Sequence, residues 1–555
     1  MDGEATNSKV KPEHDQVLII GGGIAGICAA IELLDSNISV TLIDRDAEGK
    51  FGGMANEAFG GMLLVDTPHQ RRNGIKDSKQ LALDDWMAAA QFPKDNVHGV
   101  AWAKTYVERC KVDIFDWLTN FGIKYFPIVH WVERGNYGFG EGQRGNSVPR
   151  YHITWGTGWH LTQTLIKQLK EHPQQHLLKL HFNRHVEQLI WQDNTVTGCI
   201  AFDTEDSGRK IEFTADNVIL CCGGINGNLE QVKKYWDSDC YGSYPDNMLS
   251  GSHPYADGYL HDELKKGGGS IKNLGWMWNY ASGIAHPKPE YENHGLSVIP
   301  PRSSLWLNAH GRRVGPLPMV TGYDTHQLCA QTGQLPHQYT WQLMNRAIAV
   351  KELSVSGSHI NPIFKNRSIA GVLKMALKGN PELIDWLCCN AADIVVADTI
   401  EELIKKMQLI VPEVTVDKAG MLTDINNYDE QVVRGTQFAT DDQIRKIASL
   451  RQWKGDKART LKQQTILDES AGPLIAIRSR VISRKSMGGM ETNTDSQVLN
   501  QEGNVISGLY AAGEAAGFGG AGSCGRRSLE GTFLSGAILN GRIAAQHIAT
   551  KIKDN

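Results

Sequence analysis

Gly21, Gly23 and Gly26 are spaced as G-x-G-x-x-G, and this spacing implies chemistry only in its context. The triplet follows the apolar run Val17 to Ile20 and opens a segment with Ile24, Ile27, Ile31 and Leu34 at helical spacing. A second apolar run, Val40 to Ile43, ends at Asp44. A strand, a glycine turn, a helix and a strand ending in an acid form the dinucleotide-binding βαβ unit. Gly21 permits the tight turn, Gly23 lets backbone N–H groups reach a pyrophosphate, and Gly26 lets helix and strand pack closely. The helix N-terminus favours the phosphate charge. Asp44 would accept hydrogen bonds from the adenosine ribose.

This motif alone leaves FAD and NAD open. The other end of the chain separates them. GLYAAGE is a strand end that delivers Glu514, placed to bond a ribityl chain, and a long helix follows from near Gly531. That helix start can point N–H groups at the carbonyl edge of a flavin, where negative charge gathers on reduction. The expected cofactor is therefore FAD.

The elements that hold these residues come from both chain ends. Residues 1–15 read as a disordered leader. A second glycine-rich stretch, GKFGGMANEAFGGM, runs from Gly49 to Met62, and residues 80–122 read as amphipathic helix. Val218 to Cys222 reads as another buried strand and leads into Gly223 and Gly224. From Trp276 to Leu467 the glycine signals give way to tryptophans, prolines and charged helical stretches. Thr399 and Glu402 there form a capping box behind the strand IVVAD. The segment MGGMETNTDSQVL reads as a hairpin. The expected fold is α/β, with a Rossmann-like FAD-binding domain (1–275 and 468–555) and an inserted α+β cap domain (276–467).

Composition narrows the partners. The chain has 555 residues and a net charge of −4, with no basic stripe, which argues against nucleic acid. No apolar run approaches the ~18 residues of a transmembrane helix. The ten cysteines include no CxxC pair, so no metal site is expected, and reduced thiols point to a cytoplasmic location.

Several phrases resemble a known family: LVDTPHQRRNGIKDS, HITWGTG, SRKSMGGMETNTDS and AAGEAAGFGG. Through them the chain resembles the FAD-binding dehydrogenases of the fumarate reductase and succinate dehydrogenase superfamily, in the branch related to 3-ketosteroid dehydrogenases. The resemblance implies a mobile cap that closes on the flavin. It also implies contacts residue by residue. Gly21, Gly23, Ile24, Ala25 and Gly26 would hold the pyrophosphate, and Asp44 with Arg45 the adenosine ribose. Gly52, Gly53, Met54 and Ala55 would line the ribityl and pyrophosphate. Gly60 and Gly61 would approach the ring, Val186 the adenine, and Gly224 would close the strand end beside the cofactor. Glu514 would meet the ribityl chain, and Thr532, Phe533 and Leu534 the pyrimidine edge.

The resemblance breaks at the positions that choose a substrate. Fumarate reductases carry HTMGG where this chain has KSMGG, so Lys485 replaces a substrate-binding histidine. Ser528 falls where they carry an arginine. Two changed cationic positions disfavour a dicarboxylate. The ketosteroid branch places a tyrosine base near Tyr323, and Gly531 matches its carbonyl-polarising glycine. Arg527 falls near that branch's second tyrosine, a departure. The expected reaction is hydride transfer between flavin and an activated CH–CH bond beside a carbonyl, on a small-molecule substrate such as a steroid or other enone. Tyr323 would act as base, tuned by Arg527, Arg526 or Lys485, and an electron acceptor of unspecified kind would reoxidise the flavin. A fumarate reductase-like enoate reductase, an amine or hydroxy-acid oxidase, and a non-catalytic flavin carrier remain as alternatives.

Covalent attachment in the related dehydrogenases uses a histidine in the glycine-rich stretch, and Gly49 to Met62 contains none. Acid denaturation is therefore expected to release all the flavin into the supernatant. Colour retained on the precipitated polypeptide would overturn the expectation.

Overall fold

The computed structural model describes residues 13–135, 144–206, 209–462 and 464–554. The first twelve residues of the expected leader lie outside the described residues. Its last three do not form a leader: the first strand runs Glu13–Ile20. His14 and Asp15 pair in register with Thr214 and Ala215 of the neighbouring strand, which extends the ladder beyond the apolar run.

One sheet has eight strands and is parallel at its centre. Glu13–Ile20 lies between Val40–Ile43 and Lys210–Leu220, with Val17 opposite Val40 and Ile20 opposite Leu220. Where the three central strands lie side by side they read as apolar runs, over residues 17–20, 40–43 and 218–220, as a parallel sheet covered on both faces requires. Val505–Ala511, from the far end of the chain, pairs in parallel with Lys210–Leu220. Chain ends hundreds of residues apart thus close one sheet.

A second eight-stranded sheet supports the middle of the chain and is mostly antiparallel. Its long central strand is Leu474–Ser486, with Met277–Ala285 on one side and Tyr339–Asn345 on the other. This sheet also takes in Leu249–Ser250, so it crosses both expected boundaries of the 276–467 segment. Asp393, 1% exposed, ties the sheet internally through ion pairs to Arg478 and Arg480 at 2.7 and 2.6 Å. The strand Ile394–Ala397 and the helix Ile400–Ile410 form as expected, with Thr399 accepting from the Glu402 N–H. The expected hairpin over MGGMETNTDSQVL forms, with Thr492 opposite Val498 and the Leu499 N–H on the Glu491 carbonyl at 2.9 Å. Its arms also pair outward, Gly489–Met490 with Ile271–Lys272 and Gln497–Leu499 with Val505–Ala511.

The helix Ile24–Asp35 is almost wholly buried and lies against the last helix, Thr532–Asp554. Glycine makes this contact possible. A methyl on Gly541 would sit 2.2 Å from the Ala25 carbonyl oxygen, and one on Gly26 would sit 2.2 Å from the Gly21 oxygen. Arg542 anchors the pair to Glu32 at 2.5 Å.

Gly541→Ala should therefore destabilise the fold by about 1–3 kcal/mol, because backbone must move to admit the methyl. Gly49→Ala is the control, since an added methyl there meets nothing within 4 Å. Unfolding midpoints of the two variants check this. Equal midpoints would show that the helix contact has slack.

Candidate functional site

The turn after the first strand opens onto an elongated cavity. Gly21 adopts φ +113°, which glycine reaches without the strain a side chain would bring, and its N–H bonds the Ile43 carbonyl at 2.9 Å. Asp44 closes the turn. Its carboxylate accepts from the Gly22 N–H and, at 2.8 Å, from the Asp46 N–H. Burial pushes the Asp44 carboxyl up against those two bonds. Nothing lies within 4 Å of a methyl placed on Gly23, so the backbone there faces open space.

The expected cofactor contacts converge on this cavity. Gly21, Gly23, Ile24, Ala25, Asp44, Arg45, Gly52, Gly53, Met54, Ala55, Val186, Gly224, Glu514, Phe533 and Leu534 all line it. Gly26 does not line it; it packs the helix onto Gly21. Gly60, Gly61, Thr532 and Gly531 also stand back from it. Tyr151 occupies the space they were expected to open, since a methyl on Gly61 would meet its ring at 1.8 Å. Gly531 instead gives its carbonyl to the Leu63 N–H at 2.8 Å. Thr532 turns its hydroxyl to the Leu529 carbonyl at 2.9 Å.

At one end Arg45 pairs with Asp257 at 2.6 Å and lies over the Tyr255 ring at 4.2 Å. His253 pairs with Asp46 at 2.9 Å, which raises the imidazole against the opposing cost of burial. At the other end Glu514 accepts the Ser486 N–H at 2.8 Å, and burial raises its carboxyl. Backbone N–H groups at a helix start, an acid at each end and apolar walls between fit a dinucleotide with a ribityl chain. Asp44 and Arg45 would hold the adenosine end and Glu514 the ribityl chain.

The family model described as FAD binding domain matches residues 16–534. The chain belongs to this family. It uses FAD and is an FAD-dependent dehydrogenase. A KsdD-like steroid dehydrogenase of Mycobacterium tuberculosis is 38% identical over 97% of this chain and 96% of its own. An open flavocytochrome c3 fumarate reductase superimposes with a TM-score of 0.66 at 20% identity, over 97% of this chain and 79% of that one. The 3-ketosteroid-Δ4-(5α)-dehydrogenase of Rhodococcus jostii RHA1, solved with 4-androstene-3,17-dione, gives a TM-score of 0.64 at 18% identity. It matches over 98% of this chain and 99% of its own. The two solved structures share the fold, as the two packed sheets here indicate.

The expected catalytic residues divide. Lys485 lines the flavin end of the cavity, with its ammonium 4.7 Å from the centre of the Phe533 ring. Desolvation lowers it to about 8, with Arg484 adding to the effect. Tyr323 is not brought there. It is packed with Val320 and Leu450, and its hydroxyl donates to the Lys446 carbonyl at 2.9 Å. Burial raises its pKa, and the cations beside it are Arg134, Arg302 and Lys446, the last 5.4 Å from the centre of its ring, not Lys485 or Arg526. Arg527, 5% exposed, is committed to Asp324 at 2.7 Å and to the Arg144 carbonyl at 3.0 Å. The bond between Arg527 and Asp324 ties the last part of the chain to its middle, which explains why an arginine is buried there.

A group the sequence reading missed stands beside Lys485. Trp278 is the register partner of Lys485 across the second sheet, and its ring lies 5.4 Å from Phe533. The Glu530 carboxylate accepts from Trp278 Nε1 at 3.0 Å and from the Tyr280 hydroxyl at 2.7 Å. The signal was available in part. Trp278 and Tyr280 stand two apart on one strand and therefore face the same way. Glu530 is the acid directly before the last helix. What joins them is pairing between segments some 250 residues apart, which no local pattern carries.

Asp44→Ala should weaken FAD binding about 10–100-fold, for the loss of a charged acceptor worth ~1–3 kcal/mol. Flavin retention on dilution and ultrafiltration measures it. Retention equal to wild type would remove Asp44 from the ribose site.

Proposed function

We propose that this chain oxidises or reduces an activated CH–CH bond beside a carbonyl, on a bulky apolar ketone of the steroid class, with FAD held non-covalently. The single observation that carries the reading is the polar cluster packed behind Lys485 and Phe533, the two of its residues that line the cavity. An ammonium of lowered pKa, a carboxylate and a phenol sit together against the aromatic rings of Trp278 and Phe533.

Bound FAD supplies the hydride-accepting or hydride-donating ring. The residues of the chain do the proton work. Protonated Lys485 donates to the substrate carbonyl oxygen and holds the negative charge that develops there. The Glu530 carboxylate takes the proton from the carbon beside that carbonyl, with the Tyr280 hydroxyl orienting it. In the reverse direction the same carboxyl returns the proton. Trp278 and Phe533 exclude water and leave an apolar face for the substrate. The likeness to a curated steroid dehydrogenase at 38% identity supports the ketosteroid class. Lys485 and Ser528, at positions where fumarate reductases carry cationic or imidazole groups for a dicarboxylate, count against that substrate.

Anaerobic bleaching of the bound flavin by ketosteroids and simpler enones tests the substrate class. Failure of every ketone together with bleaching by an amine or hydroxy acid would overturn it. With an active substrate, turnover should fall as pH rises through about 8. The protonated ammonium is the donor, and Lys485 loses its proton there. Lys485→Met should remove that limb and lower kcat/KM by roughly 100-fold or more, as loss of one oxyanion donor does. Tyr323→Phe should stay within about tenfold of wild type, since it breaks one hydrogen bond remote from the cavity. An unchanged pH limb in Lys485→Met would assign the limb to another group.

A further inference from the structure

Among the described residues no helix is long and apolar enough to cross a membrane, yet one short helix turns its apolar side to water. The helix Ile369–Lys378 has no buried residue. Ile369, Leu373 and Leu377 are 68%, 60% and 83% exposed. Their four-residue spacing sets them in one row along the helix, and Ala370, Lys374 and Lys378 form the adjacent row. Soluble amphipathic helices bury such a row against a core.

The charges carried by this segment are of one sign. Between His359 and Pro381 stand Lys365, Arg367, Lys374 and Lys378, and no aspartate or glutamate. The nearest acid in sequence, Glu382, pairs with Lys374 at 2.9 Å with both side chains well exposed, so water screens the pair. The helix is nonetheless fixed to the body. Ser368 caps its start, Lys351 Nζ donates to the Ala376 carbonyl at 2.8 Å, and Asn380 N–H to the Val350 carbonyl at 2.8 Å.

We propose that this face docks on an anionic lipid surface. Ile369, Leu373 and Leu377 enter the boundary between headgroups and acyl chains, and Arg367, Lys374 and Lys378 meet the phosphates. Apolar side chains in one row with lysines beside them are the pattern of helices that lie in the membrane interface. Charge selects lipid over a second copy of the chain. A two-fold contact through this face would bring the lysines of both copies to one interface, and like charges in apposition oppose association.

The position of the face suits the reaction proposed above. Phe364, in the turn before the helix, meets Phe59 with ring centres 5.1 Å apart. Ser358 donates to the Asn56 carbonyl at 2.6 Å. The loop holding Asn56 and Phe59 also carries Ala58, which lines the FAD cavity. A protein seated this way would meet an apolar substrate dissolved in the lipid. That consequence rests on the ketone reading; the docking itself does not.

The test is co-sedimentation of the FAD-loaded protein with vesicles of phosphatidylcholine, with and without phosphatidylglycerol. The wild type should pellet with the anionic vesicles and be released as salt rises. The triple variant Ile369→Gln, Leu373→Gln, Leu377→Gln and the double variant Lys374→Glu, Lys378→Glu should each partition at least about tenfold less. Both should keep the wild-type flavin content and unfolding midpoint, because the changed side chains face water. Wild-type protein that stays in the supernatant with anionic vesicles overturns the proposal. So does a triple variant that binds as well as wild type. A concentration-dependent dimer, lost in the triple variant and formed without vesicle binding, would assign the face to a second copy and also overturn it.

Discussion

The contact of the first helix with the last, carbonyl against glycine, is the constraint on which the site depends. The FAD cavity has one wall from residues 20–55 and another from residues 512–537. These walls face each other only because the two helices approach to backbone distance. The approach requires hydrogen, not methyl, at Gly541, while Gly26 lets the first helix pack onto the turn at Gly21. Arg542 then fixes the rotation of the last helix by reaching Glu32, with the rest of its guanidinium on Asp113. Both partners are nearly buried, so this pair orients the helices more than it stabilises them. Two residues at the start of the last helix, Phe533 and Leu534, reach the cavity as a result.

The second sheet is joined to this frame through its central strand. Leu474–Ser486 runs the length of the middle of the chain and ends at Lys485 and Ser486. Ser486 donates its N–H to Glu514 and its hydroxyl to Asn226 at 2.7 Å. The strand that organises the inserted segment therefore delivers the residues that touch the flavin end. Movement of that sheet against the first would be felt at Lys485 and Glu514 together. The ties between that segment and the rest of the chain are charged: Arg134 holds Asp456, which Arg302 also pairs from within the segment, and Arg527 holds Asp324. Breaking one side of a buried charge pair is costly, so these ties favour discrete arrangements over continuous sliding.

How far the sequence was legible follows from the range of each signal. The strand Val40–Ile43, the glycine turn and Asp44 are encoded within thirty residues and appear where the pattern placed them. Strand ends were less legible. Glu13, His14 and Asp15 join the first strand because the neighbouring strand offers backbone partners, which their polar side chains do not announce. The resemblance named Gly52 and Gly53, whose backbone shape is the determinant, and both line the cavity. Side chains depend on more distant partners. Tyr323 and Arg527 sit at matching positions along the chain, but their functional groups are engaged by Lys446 and Asp324.

Glu530 shows why such a site resists linear reading. On its own it is an acid before a helix, a position that the positive end of the dipole makes favourable anywhere. Trp278 and Tyr280 on their own are aromatic residues on a strand, which core packing explains. Each observation has an ordinary structural account. The chemistry arises when the second sheet lays that strand beside Leu474–Ser486 and the last helix begins opposite. Then one carboxylate takes two donors, and a lysine deprived of water stands next to it. A carboxylate with both neighbours donating is held in place but keeps lone pairs free, so it is oriented without being neutralised. Glu530 in turn counters part of the desolvation of the Lys485 ammonium. The two groups meet only once strands and helix from distant parts of the chain are assembled, and it is that juxtaposition, not either residue alone, on which the proposed proton transfer rests.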